Sequence, residues 1–236
     1  MRFGRPALFA IIALGAIFAQ GASADDATPP QQAETPGAQH VPHIPPSSPV
    51  VRLGDADSWF CSGVFIGKPN IVLSAGHCVD DEIARDGYSV GIDGYDLKAV
   101  LMLASVPETG FDDFAIFRIA GRTPANWTPA VLDCGPPLAV GAQIEAAGYP
   151  AVIGHLVRSW GRIAAMPARL PREAPWRQPV YTAQLPVGHG DSGGPVFNAA
   201  TGRVVALMVG QIPDQPDWSV LQPVGVLCAI LHLSGA

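Results

Sequence analysis

The stretch "GHGDSGGPVF", residues 188–197, places Ser192 among four glycines and an aspartate. A serine hydroxyl is a weak nucleophile until a general base lies beside it, and glycines let the backbone approach closely and turn sharply around it. The same letters satisfy the G-x-S-x-G elbow of α/β-hydrolases. They also fit a plain glycine-rich turn, so the residues around the stretch decide the fold.

The sequence around this stretch is typical of short β-strands. Pro195 leads into a further β-like run, whereas the hydrolase elbow requires a helix after its nucleophile. Similar runs, bounded by turn-forming residues, include "FCSGVFIG" (60–67), "FAIFRIA" (114–120) and "RVVALMVGQ" (203–211). Regularly spaced short strands predict an all-β sandwich or barrel. The exception is the tail "VGVLCAILHL" (224–233), where we expect a short C-terminal helix.

The first residues have the three parts of a secretory signal peptide. Arg2 and Arg5 precede a short apolar run, and "ASA" at 22–24 forms the small-residue end. An uncleaved membrane anchor is the alternative, but the apolar run is shorter than a membrane span requires. We therefore expect residues 1–24 to be removed, which leaves a secreted or periplasmic protein without stable membrane association.

The rest of the chain divides into an arm and two β units. Residues 25–49 are rich in Pro, Gln, Ala and Ser and carry few apolar side chains, which predicts a disordered arm or pro-region. We interpret His40 and His43 in this arm as solvated linker histidines rather than as a metal site. The two β units are predicted at residues 50–133 and 134–236.

The composition excludes several classes of protein. The 236 residues are 48% hydrophobic and 14% charged, which is typical of a compact globular chain rather than a disordered one. A net charge of −6 with no basic cluster argues against nucleic-acid binding. The cysteines form no C-x-x-C pair, so zinc-ribbon and thioredoxin-like sites have no support, and we expect no metal or cofactor.

The four cysteines of this exported chain are expected to form two disulfides. Three connectivities are possible among Cys61, Cys78, Cys134 and Cys228. A Cys61–Cys78 bridge would close a loop of about 17 residues and add roughly 3 kcal/mol in the chain-entropy estimate. It would also fix the backbone beside His77, and a general base needs such positional restraint.

Asp113 in "FDDFAIFRI" (111–119) leads directly into alternating apolar residues. An acidic side chain at the mouth of a buried strand is costly unless it has a partner. An imidazole N–H is a suitable partner, and pairing with it leaves the other ring nitrogen free to accept a proton. The alternative is that Asp112 and Asp113 are ordinary turn residues and that His77 is structural.

Three segments, in the order His, Asp, Ser, carry a family resemblance over roughly residues 50–234. "CSGVFIG…NIVLSAGHCV", "DDFAIF" and "GDSGGPVF" resemble the three signature regions of the trypsin-like (chymotrypsin-fold) serine peptidases. The resemblance implies two antiparallel six-stranded β-barrels with the active site between them. "EAAGYP" (145–150) and "SAGHCV" (74–79) are more similar to bacterial, glutamyl-endopeptidase-like members than to digestive trypsins.

The resemblance also implies roles for particular residues of this chain. The catalytic triad would be His77, Asp113 and Ser192. The backbone N–H groups of Gly190 and Ser192 would form the oxyanion hole, as the glycine-rich backbone around the serine also indicates. The implied disulfide pairings are Cys61–Cys78 and Cys134–Cys228.

A substrate pocket is the least specific part of the resemblance. It is placed around six residues: Pro186, Val187, His189, Met208, Val209 and Gly210. No aspartate is among them to receive Arg or Lys, so we expect a small or medium apolar side chain before the scissile bond. His189 flanks the nucleophile, where it either contacts substrate or is an exposed polar residue.

Asp191 departs from the family's pattern in its surroundings. In digestive members the aspartate before the serine pairs with the amino group of a short apolar amino-terminal sequence. Here Val50-Val51 is the nearest such sequence, and it lies too close to Cys61. We therefore expect Asp191 to pair with an arginine or a backbone amide, and activation by cleavage within residues 25–50 is a hypothesis.

Together these features predict a secreted serine endopeptidase that hydrolyses polypeptides through an acyl-enzyme, as a monomer and without a cofactor. A non-catalytic binding module on the same fold is the alternative, although such proteins usually lack a triad member and this chain has all three. An α/β-hydrolase esterase would need strand–helix alternation and would place its histidine last in the chain.

Overall fold

A computed structural model describes most of the chain from Ser48 onward. The described residues are 48–55, 57–66, 68–92, 95–106, 112–124, 127–165, 180–212 and 214–233. The predicted signal peptide (1–24) and nearly all of the predicted arm (25–49), with its two histidines, lie outside them. No helix in the described part of the chain combines the length and hydrophobicity that spanning a membrane requires.

The first six strands form a closed antiparallel barrel. In chain order they are β1 (Val50–Gly54), β2 (Trp59–Ile66), β3 (Lys68–Ser74), β4 (Tyr88–Ile92), β5 (Tyr95–Ser105) and β6 (Phe114–Ile119). Around the barrel the order is β1-β2-β3-β6-β5-β4, and pairing between β1 and β4 closes it. A 3-10 turn (Gly76–Cys78) and a short helix, α1 (Asp81–Asp86), lie between β3 and β4.

The next six strands form a second closed antiparallel barrel. They are β7 (Gln143–Gly148), β8 (Val157–Ala165), β9 (Tyr181–Gln184), β10 (Pro195–Asn198), β11 (Val204–Ile212) and β12 (Gln215–Pro223). The order is β10-β11-β12-β9-β8-β7, and β10 pairs with β7 to close the barrel. Helix α2 (Gly225–Leu233) follows β12. The predicted fold class, all-β with two six-stranded barrels and a short C-terminal helix, is therefore confirmed.

The core of the first barrel continues into the second. Large side chains that are fully buried include Leu53, Phe65, Leu73, Tyr88 and Phe117. The rings of Tyr88 and Phe117 pack edge to face with their centroids 4.8 Å apart. The same cluster includes Ala147, Phe197 and Leu207 of the second barrel. Apolar packing therefore joins the two barrels.

Two disulfides add covalent links to this packing. Cys61 of β2 is bonded to Cys78 of the 3-10 turn, with their Cα atoms 6.3 Å apart. Cys134, between the barrels, is bonded to Cys228 of α2, with a Cα separation of 5.8 Å. These are the two pairings that the resemblance implies, and the first fixes the turn that carries His77.

Candidate active site

The best-defined interaction at the barrel junction joins His77 and Asp113. The Asp113 side chain lies immediately before β6 and is 1% exposed. Its Oδ2 lies 2.8 Å from His77 Nδ1, and its Oδ1 accepts a hydrogen bond of 3.0 Å from the His77 backbone N–H. An imidazole that donates from Nδ1 has Nε2 free to accept a proton. The His77 side chain is 37% exposed, so the ring is not enclosed by the protein.

The 3-10 turn holds His77 against β5 and β6. A Cβ atom at Gly76 would lie 1.8 Å from the carbonyl oxygen of Ser105 and 3.0 Å from that of Phe114. Only glycine allows this close approach. The neighbouring Cys78 is fixed through its disulfide to β2. The backbone of His77 is therefore restrained on both sides.

A glutamine from the second barrel supports the aspartate segment. Gln222 of β12 is buried, and its Oε1 accepts a hydrogen bond of 3.3 Å from the Asp113 backbone N–H. Its Nε2 donates to Asp112 Oδ1 at 2.9 Å. Gln222 was missed by the sequence reasoning. The signal that could have revealed it is a single amide side chain in the otherwise apolar end of β12.

Ser192 lies in a turn before β10 that contacts both barrels. Its carbonyl oxygen accepts a hydrogen bond of 2.8 Å from the N–H of Ser62 in β2. The next residue, Gly193, donates to the Met208 carbonyl of β11 at 2.7 Å. Gly193 has φ +81°, and a Cβ atom there would lie 2.1 Å from Ser74 Oγ, so this position requires glycine. The half-buried Ser192 is thus fixed from the first and the second barrel.

Gly190 has a backbone conformation that favours glycine. Its φ is +97°, and a Cβ atom would lie 2.5 Å from the Ala151 nitrogen. The preceding carbonyl, that of His189, accepts a hydrogen bond of 2.8 Å from the Ala151 N–H. Because a trans peptide points its C=O and N–H in opposite directions, the Gly190 N–H faces away from Ala151. Within the described residues, neither the Gly190 nor the Ser192 N–H donates to a protein acceptor.

Asp191 is buried beside a backbone donor. Its Oδ2 accepts a hydrogen bond of 2.8 Å from the Gly188 N–H. No described cationic side chain forms an ion pair with it, so its partner among the described residues is this backbone amide. Burial raises the pKa of the Asp191 carboxyl, although the Gly188 hydrogen bond opposes the rise. A Cβ atom at Gly148 would lie 2.4 Å from Asp191 Oδ1, so a larger residue at the end of β7 would displace this carboxylate.

The six residues assigned to a substrate pocket differ in their exposure. Pro186 and His189 are exposed, and Val187 and Gly210 are half-buried. Met208 and Val209 are only 2% and 3% exposed and pack in the core.

One group of metal-ligand side chains occurs among the described residues: Cys61, His77 and Cys78. Both cysteines are bonded to each other, and a disulfide sulfur is not the thiolate that binds a metal. This group therefore does not fit a metal site.

Comparison with known proteins decides the family. The sequence pattern of the trypsin-like peptidase domain matches residues 61–207, which is more than half of the chain. The chain belongs to this family. The match begins at the first disulfide cysteine of this trypsin-like peptidase domain and continues beyond Ser192.

Solved structures show the same fold. The Rv3671c protease of M. tuberculosis in its active form superposes with a TM-score of 0.61 at 23% identity, over 78% of this chain and 79% of that one. An inactive mutant form of Rv3671c from M. tuberculosis H37Rv superposes with a TM-score of 0.60 at 22% identity, over 79% of this chain and 86% of that one. The serine endoprotease from Yersinia pestis superposes with a TM-score of 0.61 at 18% identity, over 78% of this chain and 62% of that one. No curated protein matches this chain.

Proposed function

We propose that this trypsin-like peptidase is an exported serine endopeptidase that cleaves polypeptides. The observation that carries the proposal is the buried Asp113 carboxylate, which accepts hydrogen bonds from both the ring and the backbone of His77. An imidazole oriented in this way is a general base. Membership of a peptidase family supports a peptide as the substrate.

In the proposed reaction, His77 Nε2 accepts the hydroxyl proton of Ser192 while Ser192 Oγ bonds to the peptide carbonyl carbon. The N–H groups of Gly190 and Ser192 stabilise the negative oxygen of the tetrahedral intermediate. The C–N bond then breaks, and His77 gives its proton to the leaving amine. Water attacks the remaining acyl-enzyme, and His77 takes a proton from this water and returns it to Ser192 Oγ.

Asp113 acts through His77 in this scheme. Its negative charge stabilises the imidazolium that forms when His77 holds the extra proton, and its hydrogen bond sets the tautomer. A carboxylate 2.8 Å from the ring and almost without solvent contact is well suited to this role. No metal or organic cofactor has a part in the scheme.

Substrate preference belongs to the proposal as well. The pocket would be formed by Pro186, Val187 and His189 on one side and by Met208, Val209 and Gly210 on the other. Since these residues carry no carboxylate, a small or medium apolar side chain fits best before the scissile bond. A peptide library tests this preference, and cleavage chiefly after Arg, Lys or Glu would overturn it. The likeness to bacterial glutamyl-endopeptidase-like members rests on residues 74–79 and 145–150.

Export is proposed from the first 24 residues and from the two disulfides, which persist in oxidising compartments. The arm (25–49) would precede two barrel domains, 50–133 and 134–236, in a monomer that is secreted or periplasmic. The mass of the exported protein tests the processing site, because removal of residues 1–24 leaves a chain that starts at Asp25.

The proposed function is tested by hydrolysis of a denatured, fluorescently labelled protein. The full chain is expressed with its export segment and compared with Ser192→Ala, which removes one oxygen atom. We expect hydrolysis by the wild type and none by the variant. A folded wild type with both disulfides but without hydrolysis would contradict the proposal and favour the non-catalytic binding module.

A further inference from the structure

Ser62 in β2 carries a buried hydroxyl that the proposed reaction does not use. Its residue is 0% exposed, and it follows Cys61 directly. A buried hydroxyl is costly unless it forms hydrogen bonds. The partners of this hydroxyl therefore show what it stabilises.

Both partners of the Ser62 hydroxyl lie in the second barrel. Its Oγ accepts a hydrogen bond of 2.8 Å from the Tyr149 N–H and lies 2.7 Å from the Gly190 carbonyl oxygen. A serine hydroxyl has one proton to donate. Because a carbonyl oxygen can only accept, that proton is directed at Gly190.

The two peptide groups that flank Gly190 are consequently both fixed. The carbonyl oxygen of His189, the residue before Gly190, accepts a hydrogen bond of 2.8 Å from the Ala151 N–H. The Ser62 hydroxyl holds the carbonyl of Gly190 itself. Tyr149, two residues before Ala151, donates to the same hydroxyl. Ser62 therefore joins segment 149–151 to the loop that presents the Gly190 N–H.

The backbone of Ser62 contacts the nucleophile. Its N–H donates to the Ser192 carbonyl at 2.8 Å, and its own carbonyl accepts from Ser74 Oγ at 2.6 Å. Through Cys61, the same strand is linked to the turn that carries His77. One residue of the first barrel thus contacts both residues whose N–H groups are assigned to the oxyanion hole.

We propose that the Ser62 hydroxyl is a positioning group for the oxyanion hole. From the opposite barrel it holds the Gly190 carbonyl on one side and segment 149–151 on the other, and so fixes the His189–Gly190 peptide with its N–H facing the reacting oxygen. This inference rests on the proposed peptidase function. Ser62 acts through Gly190 and does not contact substrate.

The test is the steady-state kinetics of Ser62→Ala on a peptide substrate. The substitution leaves the Gly190 carbonyl and the Tyr149 N–H without their partner, so the loop relaxes. Oxyanion stabilisation acts in the transition state and depends on geometry, so we expect kcat to fall roughly 10- to 100-fold while KM changes little. The inhibition constant of a peptide aldehyde, whose adduct with Ser192 places an oxygen in the hole, should rise by a similar factor.

Ser89→Ala is the matched control. Ser89 lies in β4 of the same barrel, is also buried, and its hydroxyl accepts a hydrogen bond of 3.3 Å from Lys98 Nζ. It has no hydrogen bond to the loop at residues 188–192 within the described part of the chain. We expect Ser89→Ala to keep the wild-type kcat, KM and aldehyde affinity.

The outcomes separate this inference from the proposed function. A wild type that hydrolyses no peptide overturns the proposed function. An active wild type and a folded Ser62→Ala with unchanged kcat, or with an effect confined to KM, overturn the positioning role alone. If Ser62→Ala does not fold, Ser62→Gly leaves space for a water molecule and is measured in the same way. Failure of both variants to fold would make the hydroxyl a requirement of the fold and overturn the positioning role.

Discussion

Two aspartates of the site are buried, but they have different partners. Asp113 faces an imidazole that can carry the compensating positive charge. Asp191 faces the N–H of Gly188 and no described cation. A buried carboxylate without a cation is stabilised less in its charged form. The two residues therefore respond in different ways when their charge is removed.

Replacing Asp113 tests the orientation of His77. In Asp113→Asn the side chain keeps its size, but its amide can donate to Nδ1 and so favours the wrong tautomer of the imidazole. We expect kcat to fall on the order of 10⁴-fold with KM little changed. Asp133→Asn serves as the control. Asp133 lies between the barrels, and its Oδ1 accepts a hydrogen bond from the Gly135 N–H and not from His77. A kcat for Asp113→Asn within tenfold of the wild type would contradict the proposed role.

Replacing Asp191 tests the effect of burial on stability. The pKa of Asp191 is raised in the folded protein above its ordinary value of 3.8, so folding favours its protonated form. Its contribution to stability is full below pH 3.8 and is lost as the pH rises through the raised pKa. Asp191→Asn keeps an oxygen acceptor for the Gly188 N–H and cannot ionise.

We therefore expect the free energy of unfolding of Asp191→Asn to increase relative to the wild type as the pH rises across this window. Urea denaturation at a series of pH values measures the difference. A difference that stays constant with pH would show that ionisation of Asp191 does not affect folding.

At the scale of elements, the 3-10 turn Gly76–Cys78 and the loop around Ser192 have little regular structure of their own. Hydrogen bonds, glycine contacts and one disulfide hold them against the barrels. Strand pairing fixes the barrels independently of these contacts. Loss of one of these hydrogen bonds, glycine contacts or the disulfide is therefore expected to change the geometry of the site more than the arrangement of the barrel strands.

The two disulfides provide a test of this distinction. Replacing Cys61 and Cys78 by alanine should lower the free energy of unfolding by about 3 kcal/mol and also lower kcat, because the backbone beside His77 is released. Replacing Cys134 and Cys228, whose separation of 94 residues is larger, should cost about 4–5 kcal/mol and leave kcat of the folded protein unchanged. Chemical denaturation and peptide hydrolysis measure the two effects. Equal losses of kcat in both variants would contradict the expectation.

The sequence predicted most of the elements, and the missed ones have physical reasons. β1 has no clear sequence signal because its five residues follow directly on a Pro-rich arm. β12 begins with exposed polar residues and a proline, and its position is fixed by pairing with β11 and β9. Helix α1 is too short for a helical period. It begins where Asp80 accepts hydrogen bonds from the N–H groups of Glu82 and Ile83, and it ends at Gly87 with φ +85°.

At the scale of the whole molecule, the candidate site is built across the junction of two barrels. His77 and Asp113 lie in the first barrel, and Ser192 lies in the second. The order of these residues and their surrounding motifs could be read from the sequence through the family resemblance. The hydrogen bonds that align them could not.

Ser62 and Gln222 illustrate why. Ser62 is hydrogen-bonded to Gly190, which lies 128 residues away in the sequence. Gln222 is hydrogen-bonded to Asp113, which lies 109 residues away. No local pattern marks a polar side chain whose partner is brought near only when both barrels have formed. The family and the candidate site residues could thus be proposed from motifs, whereas the contacts of these residues with the opposite barrel required the structure.

Labelling with a fluorophosphonate tests the central claim most directly. A serine activated by a neighbouring base displaces fluoride and forms a bond between its oxygen and phosphorus. We expect one phosphonyl group per wild-type molecule, located by mass spectrometry on the peptide that contains Ser192. Labelling should be absent in Ser192→Ala and strongly slowed in Asp113→Asn. An unlabelled wild type that is folded with both disulfides, or a label on another serine, would contradict the account.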